Sequence, residues 1–407
     1  MAEAYGRQQV STRRDWLQRS MLPRLASSPA VCTVSWMVTR VLVLAAGVVL
    51  VGNFTLWEVH LYEEWGTMFA SRSDFADTRW QYPPLVVPVL VLLASTGLMP
   101  AAFVAVALAA DLTIFALLLR RSMAGAHWLG PWGWVSAAIV LGPTLWAKLD
   151  IISAAFAVAA ILAAGRPWRA GCLAGLGALF KVWPALTVVA LPRRDASRGV
   201  AALGVTVLIG WALLVSAWPG SQVFFTNQAD RRLQVESVAA WPFLVAGTLG
   251  ADVRVESRYG AFELVMASSD AVAVACGITT VIGLAGVAWL WLSGRLATLA
   301  PAEAVLLAVL VSLITSRVLS PQFNTWTIAV GCVVLLQVGI RGLPIVGLIF
   351  ASSTATILLQ VAGGIAAVPW SPVAVVLHSA RLMCAIAATA LLIWKLKQSR
   401  KLNRPQM

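Results

Sequence analysis

The chain has 407 residues, 60% of them hydrophobic and 12% charged, with 19 tryptophans and a formal net charge of +13; its mean hydropathy is +0.83. Soluble domains are about half apolar and about a quarter charged, so this composition excludes them and indicates an all-α polytopic membrane protein. The positive charge does not point to nucleic acid, because Lys and Arg collect near the two ends and in short loops, as the positive-inside rule requires.

In chain order, residues 1–29 form a basic N-terminal segment with Arg7, Arg13, Arg14, Arg19 and Arg24, read as cytoplasmic and without the pattern of a cleavable signal. Residues 30–396 are the transmembrane domain. Residues 397–407 form a basic tail, also cytoplasmic, suited to anionic lipid. The first span is predicted at about 30–52. It delivers a polar island, Glu58 to Tyr82, to the outer face, where five carboxylates gather: Glu58, Glu63, Glu64, Asp74 and Asp77. The next apolar run, Leu85 to Met99, is short and carries Pro88 behind Pro83 and Pro84, which suits an interfacial or re-entrant segment. Residues 101–119 run inward to Arg120 and Arg121. Residues 131–147 run outward to Lys148 and Asp150, and 151–165 return to Arg166 and Arg169.

Residues 170–191 are basic on both flanks and interrupted by Lys181 and Pro184. Two half-helices with Lys181 at an outer tip satisfy the charge rule; a single span with one mis-sided flank is the alternative. Further spans are predicted at about 199–217, 271–292, 302–317, 323–340, 343–360 and 374–395. The total is about ten full spans plus the hairpin, with outer loops at about 53–100, 148–150, 218–270 and 317–322. The outer face is loop-rich and acidic, so chemistry is expected there. The five cysteines lie in or near apolar segments with no CxxC spacing, and read as core residues, neither disulfides nor metal ligands. The histidines are scattered, with no HExxH, and there is no GxxxxGK[ST]; neither a metal nor another cofactor is expected.

Several polar residues carry two readings each. Glu58, where the first span meets the outer loop, is a general base whose pKa partial burial would raise, or a solvated carboxylate capping the span. Lys181 inside an apolar stretch is a phosphate ligand, or a structural partner of Asp111 or Asp150. Arg231 and Arg232 in the loop 228–237 offer planar donor forks for phosphate, or are simply solvated. Arg317, ahead of Ser320-Pro321-Gln322-Phe323, faces the same site or snorkels to the surface. Arg40 and Arg381 read as bundle glue or inner-leaflet snorkels, with Asp111 pairing with one of them or bonding a helix neighbour.

Taken together, these segments resemble a known set. Glu58-Val-His-Leu-Tyr62-Glu-Glu-Trp65 with Trp80-Gln-Tyr-Pro-Pro84 is similar to the first outer loop of the GT-C superfamily, and more narrowly of glycosyltransferase family 87, the polyprenyl-phosphate-mannose-dependent mannosyltransferases of actinobacteria. Lys148-Leu-Asp150 resembles its second outer-loop acidic motif, and Phe180-Lys181-Val-Trp-Pro184 its Lys-x-x-Pro hairpin. Arg232-Leu-Gln-Val-Glu-Ser237 resembles its Arg-x-Leu-Gln-x-Glu-Ser loop, and Arg317-Val-Leu-Ser-Pro-Gln322-Phe its Lys-Val-Leu-Ser-Pro-Gln-Tyr motif. Each motif is weak alone; in order they cover most of residues 40–340.

The resemblance implies a GT-C bundle in the plasma membrane and an inverting, metal-independent transfer of a sugar, mannose by family habit. The donor is a polyprenyl-phosphate sugar, the acceptor a glycolipid or lipoglycan, and membrane lipid the surroundings. Glu58 stands as general base, with Asp150 second. Lys181, Arg232 and Arg317 stand as donor-phosphate ligands. Tyr62, Trp65, Tyr82, Gln234, Glu236 and Gln322 shape the loops or contact substrate. Two positions depart from the family pattern: Glu58 where Asp is usual, and Arg317 where Lys is usual. The first leaves open a re-shaped pocket, a different acid (Asp150, Asp74 or Asp77) or a lost activity. Competing classes are a lipid or small-molecule transporter, for which broken helices and intramembrane charge are also expected, and an inactive scaffold descended from the enzyme.

Overall fold

The structure is a computed structural model; it describes residues 26–50, 57–71, 75, 77–258, 260–363 and 371–402. The described part is almost entirely helical: α1 Pro29–Leu50, α2 Trp57–Ala70, α3 Val86–Ala94, α4 Met99–Met123, α5 Leu129–Leu141, α6 Asp150–Leu162, α7 Pro167–Phe180, α8 Ala196–Ala217, α9 Val223–Ala229, α10 Trp241–Thr248, α11 Ser269–Leu292, α12 Pro301–Thr315, α13 Asn324–Val338, α14 Leu343–Val361 and α15 Pro372–Leu402. One antiparallel hairpin interrupts them, β1 Arg254–Arg258 and β2 Ala261–Val265. The expected all-α polytopic membrane protein is what folds. Six segments are long and apolar enough to cross a membrane by length and composition: Pro29–Val48, Met99–Met123, Arg193–Ala217, Ser269–Leu292, Pro321–Val361 and Pro372–Gln398.

The spans expected at 131–147, 151–165 and 302–317 differ in length. α5 and α6 have 13 residues and α12 has 15. α5 stops because Gly142, at φ +61, turns the chain ahead of Pro143 and the remainder continues as a 3₁₀ turn to Trp146. Short helices survive here because they are enclosed. α12 and α13 are buried nearly all round, at the middle of a core that also takes in α5 and α6. Non-helical backbone at membrane depth is tolerated where protein covers it.

The segment 167–217 folds as a hairpin followed by a span. A Cβ on Gly171 would strike the Gly199 carbonyl, one on Gly175 would meet Leu203 and Thr206, and Leu179 fills the space at Gly210. Both numberings rise together, so α7 and α8 run parallel, and the chain between them must return. It breaks at Lys181, whose backbone is extended (φ −152, ψ 137), and comes back through a 3₁₀ helix, Trp183–Ala190. Eight residues at about 2.0 Å each retrace about 16 Å, against about 21 Å for the 14 residues of α7. Lys181 therefore sits at the tip.

The polar island is a small aromatic domain. α2 lies on α3, which at nine residues is far too short to span. A Cβ at Gly66 would collide with the Leu90 carbonyl, so α2 and α3 pack backbone to backbone. Tyr62, Trp65, Phe69, Phe75, Trp80 and Tyr82 form a second core with Val86, Leu90, Phe103 and Phe180. Trp65 and Trp80 meet edge to face at 5.2 Å, and Phe69 stacks on Phe75 at 4.0 Å.

Candidate active site

Helix ends and loops meet at the end of the bundle marked by the Lys181 tip. Glu58 stands in the first turn of α2, where its carboxylate forms an ion pair with Lys148. The Tyr82 hydroxyl donates to Glu58 Oε1 at 3.5 Å and is hydrogen-bonded to the Tyr62 hydroxyl at 2.9 Å. Two residues past Lys148, Asp150 opens α6. Its buried carboxylate accepts Lys181 Nζ at 2.8 and 2.9 Å and Trp326 Nε1 at 2.7 Å. Lys181 thus has one of the two structural partners expected for it, Asp150.

Aromatic rings wall this pair. Lys181 Nζ lies 5.3 Å from the Tyr82 ring, 5.5 Å from Phe323 and 5.6 Å from Trp326. Phe323 stacks on Trp326 at 4.0 Å, and Trp183 covers the other side at 5.1 Å. A small cavity beside Phe323 is lined by Leu310 and Leu313 of α12, by Leu382 and Ala385 of α15, and by Asn324, Ser352 and Arg381.

The two arginines of the 228–237 loop have separate surroundings. Arg232 is about a third exposed and faces Asp270 at 3.3 Å. Arg231 is buried, donates to Gln81 Oε1 at 2.6 Å and lies 4.0 Å from Glu263. Its Nε and Glu263 Oε2 are buried without a hydrogen-bond partner. Burial pushes the Arg231 guanidinium down to about 10; Glu263 pulls it up, and nearby Arg317 pushes it down again. Arg317 donates to the carbonyls of Gln228 and Ala229, at 2.7 and 3.2 Å, at the end of α9. Arg317 thus lies near enough to act on the charge of Arg231, and both guanidiniums donate to neutral oxygens. The residue that sequence reasoning set aside is Arg231, yet a signal was present. Anchored on Gln234, the spacing Arg-x-Leu-Gln falls on Arg231, not on Arg232.

The other expected residues have these partners. Gln234 ties its loop to 317–320: its Oε1 accepts Leu319 N at 2.9 Å, its Nε2 donates to Ser320 Oγ at 3.1 Å, and its backbone N donates to the Arg317 carbonyl at 3.0 Å. Glu236 pairs with Arg381 of α15, which places Arg381 at the site end and not as an inner-leaflet snorkel. Burial raises the Glu236 carboxyl, with Arg381 and Lys148 opposing. Gln322 lines a separate small cavity with Thr144, Thr325 and Gln360. Trp65 Nε1 donates to Asp77 at 2.8 Å, and Arg79 holds the same carboxylate below the usual range. Asp77 is thus a fixed loop brace and not a solvated acid; Asp74 lies outside the described residues. Lys148, Phe323, Trp326 and Trp183 have no role assigned from the sequence, since a lysine beside a span and aromatics within one have ordinary explanations. Among the described residues no three His, Cys, Asp or Glu side chains are grouped to hold a metal ion.

The family profile "Glycosyltransferase family 87" matches residues 80–321, more than half of the chain. The chain belongs to glycosyltransferase family 87. It is therefore a membrane glycosyltransferase, with donor and acceptor substrates in a lipid setting. Lys148, Asp150, Lys181, Arg231, Arg232 and Arg317 lie within the matched region, whereas Glu58 lies ahead of it. No curated protein and no solved structure matches the chain.

Proposed function

We propose that this glycosyltransferase moves a sugar, mannose by family resemblance, from a polyprenyl-phosphate donor to a lipid-linked glycan acceptor on the outer face of the plasma membrane, with inversion. The observation that carries the reading is the meeting, at one end of the bundle, of Glu58 on a short helix with Tyr82 and with the Lys181–Asp150 pair behind its aromatic wall. Glu58 takes the proton of the acceptor hydroxyl. The acceptor oxygen bonds to the anomeric carbon as the carbon–oxygen bond to phosphate breaks, its electron pair staying on the phosphate. The departing phosphate gains negative charge, which positioned cations stabilise without a proton. Arg231 and Arg317 are assigned that role, with Lys181 behind them, and Arg232 serves at the flank. The aromatic wall of Tyr82, Phe323 and Trp326 suits a sugar face. Each of Glu58, Asp150 and Glu236 already has a cation from the chain, which supports charge stabilisation by side chains.

The test is transfer by purified protein given polyprenyl-phosphate-mannose and a glycolipid acceptor. Glu58→Gln is expected to cost roughly 10²-fold or more in kcat, the usual scale for a general base. Transfer at the wild-type rate by Glu58→Gln would end the assignment. Glu58→Asp, which restores the family's usual acid one methylene shorter, should keep measurable activity.

A further inference from the structure

The ion pairs of the site leave the base in an unproductive state. Glu58 is held on one side by Lys148 and on the other by Tyr82. A carboxylate against an ammonium binds a proton weakly, so the residue assigned to take one is least able to do so while Lys148 holds it. Lys148 is mostly enclosed between two sets of groups. Asp150 and Glu236 favour its charge, while Lys181, itself bound to Asp150, opposes it. Arg381 occupies Glu236. Burial pushes the Lys148 ammonium down to about 8. Asp150 and Glu236 already have cations, so Glu58 is the carboxylate that Lys148 holds directly.

We infer that Lys148 is an exchangeable counter-ion: it clamps Glu58 and passes to the anionic phosphate when the lipid donor enters, so that donor binding releases the base. The inference rests on Glu58 being the base. A phosphodiester adds one negative charge to a site whose carboxylates are each neutralised, and an ammonium on a flexible stem can follow it. Lys148 then reinforces Arg231 and Arg317 as the leaving phosphate gains its second charge. An enzyme built this way keeps its base weak until the donor arrives.

The decisive measurement is the acidic limb of the pH–rate profile, taken with donor varied at saturating acceptor. The limb of kcat/KM reports the donor-free enzyme and that of kcat the donor-bound complex. Wild type should show the kcat limb at higher pH than the kcat/KM limb, by about one unit or more. Coincident limbs would overturn the inference. Lys148→Gln should bring the two limbs together at the higher pH and raise donor KM roughly tenfold, leaving acceptor KM unmoved; a surviving split, or an effect on acceptor KM alone, also overturns it. Lys148→Arg keeps the charge and should keep the split, and the wild-type comparison stands even if the Gln variant does not fold. A limb unchanged in Glu58→Gln would instead refute the base assignment itself, an outcome distinct from a Glu58-dependent limb that fails to move.

Discussion

At the scale of single residues, the neighbours Arg231 and Arg232 show what spacing alone leaves open. In extended chain, consecutive side chains point to opposite sides, and the bridge between Gln234 and Glu263 decides which side faces inward. Arg231 goes in toward Gln81 and Arg232 goes out toward Asp270. Arg231→Ala should therefore lower kcat/KM for the donor by roughly tenfold or more, while Arg232→Ala should stay within about twofold. Steady-state kinetics with donor varied checks both; equal losses would mean that the loop acts as a unit. Glu58 was legible as a carboxylate at a span end, but its engagement by Lys148, 90 residues later, was not.

At the scale of elements, the hairpin 167–190 was readable because charge and proline both marked it. Arg166 and Arg193 at its two feet require a return, and Lys181 with Pro184 supplies the break. Cysteines placed at 166 and 195 should accordingly label from the same side of the membrane; labelling from opposite sides would contradict the parallel α7 and α8. Gly171→Leu should abolish the packing of α7 on α8, because its Cβ would meet the Gly199 backbone. Loss of folded protein in detergent is the expected result. The β1–β2 hairpin went unread in the sequence: Arg254-Val-Glu-Ser-Arg258 alternates over only five residues and looks like a polar loop. Its partner strand carries Glu263, which accepts the Arg232 backbone N at 3.2 Å and lies beside Arg231.

At the scale of the whole molecule, one buried cluster joins α1, α4 and α5. Arg40 grips Asp111 through Nε and Nη2, both at 2.9 Å, and donates to the carbonyls of Trp134 and Val135. Asp111 also accepts Trp36, Trp134 and Trp146 Nε1 at 3.3, 2.7 and 3.1 Å. Arg40 and Asp111 are at most 3% exposed. Asp111→Ala would strand Arg40 as a buried, uncompensated charge and should cost about 3–5 kcal/mol. A lower thermal midpoint with unchanged KM in the surviving fraction is the expected signature. A fall in activity with no loss of stability would instead give Asp111 a place in the chemistry.

Composition and hydrophobic run length determined, by themselves, that this is a helical membrane protein, because a bilayer admits few other backbones. Basic flanks and breaker residues pointed to the hairpin but left a single span open until the packing of α7 on α8 decided it, and ordered motifs were enough to bring out the family. Only the tertiary structure decided the pairings: Lys181 with Asp150, Lys148 with Glu58, Arg381 with Glu236, and Arg231 turned inward. The reason is physical. Burial and helix periodicity act over a few neighbouring residues and leave a trace in the local pattern. A charge pair depends on which helix ends meet in space, and 31 residues separate Lys181 from Asp150. Each of Glu58, Asp150 and Glu236 was visible in the sequence, but the cation each one keeps was set by the packing of the bundle.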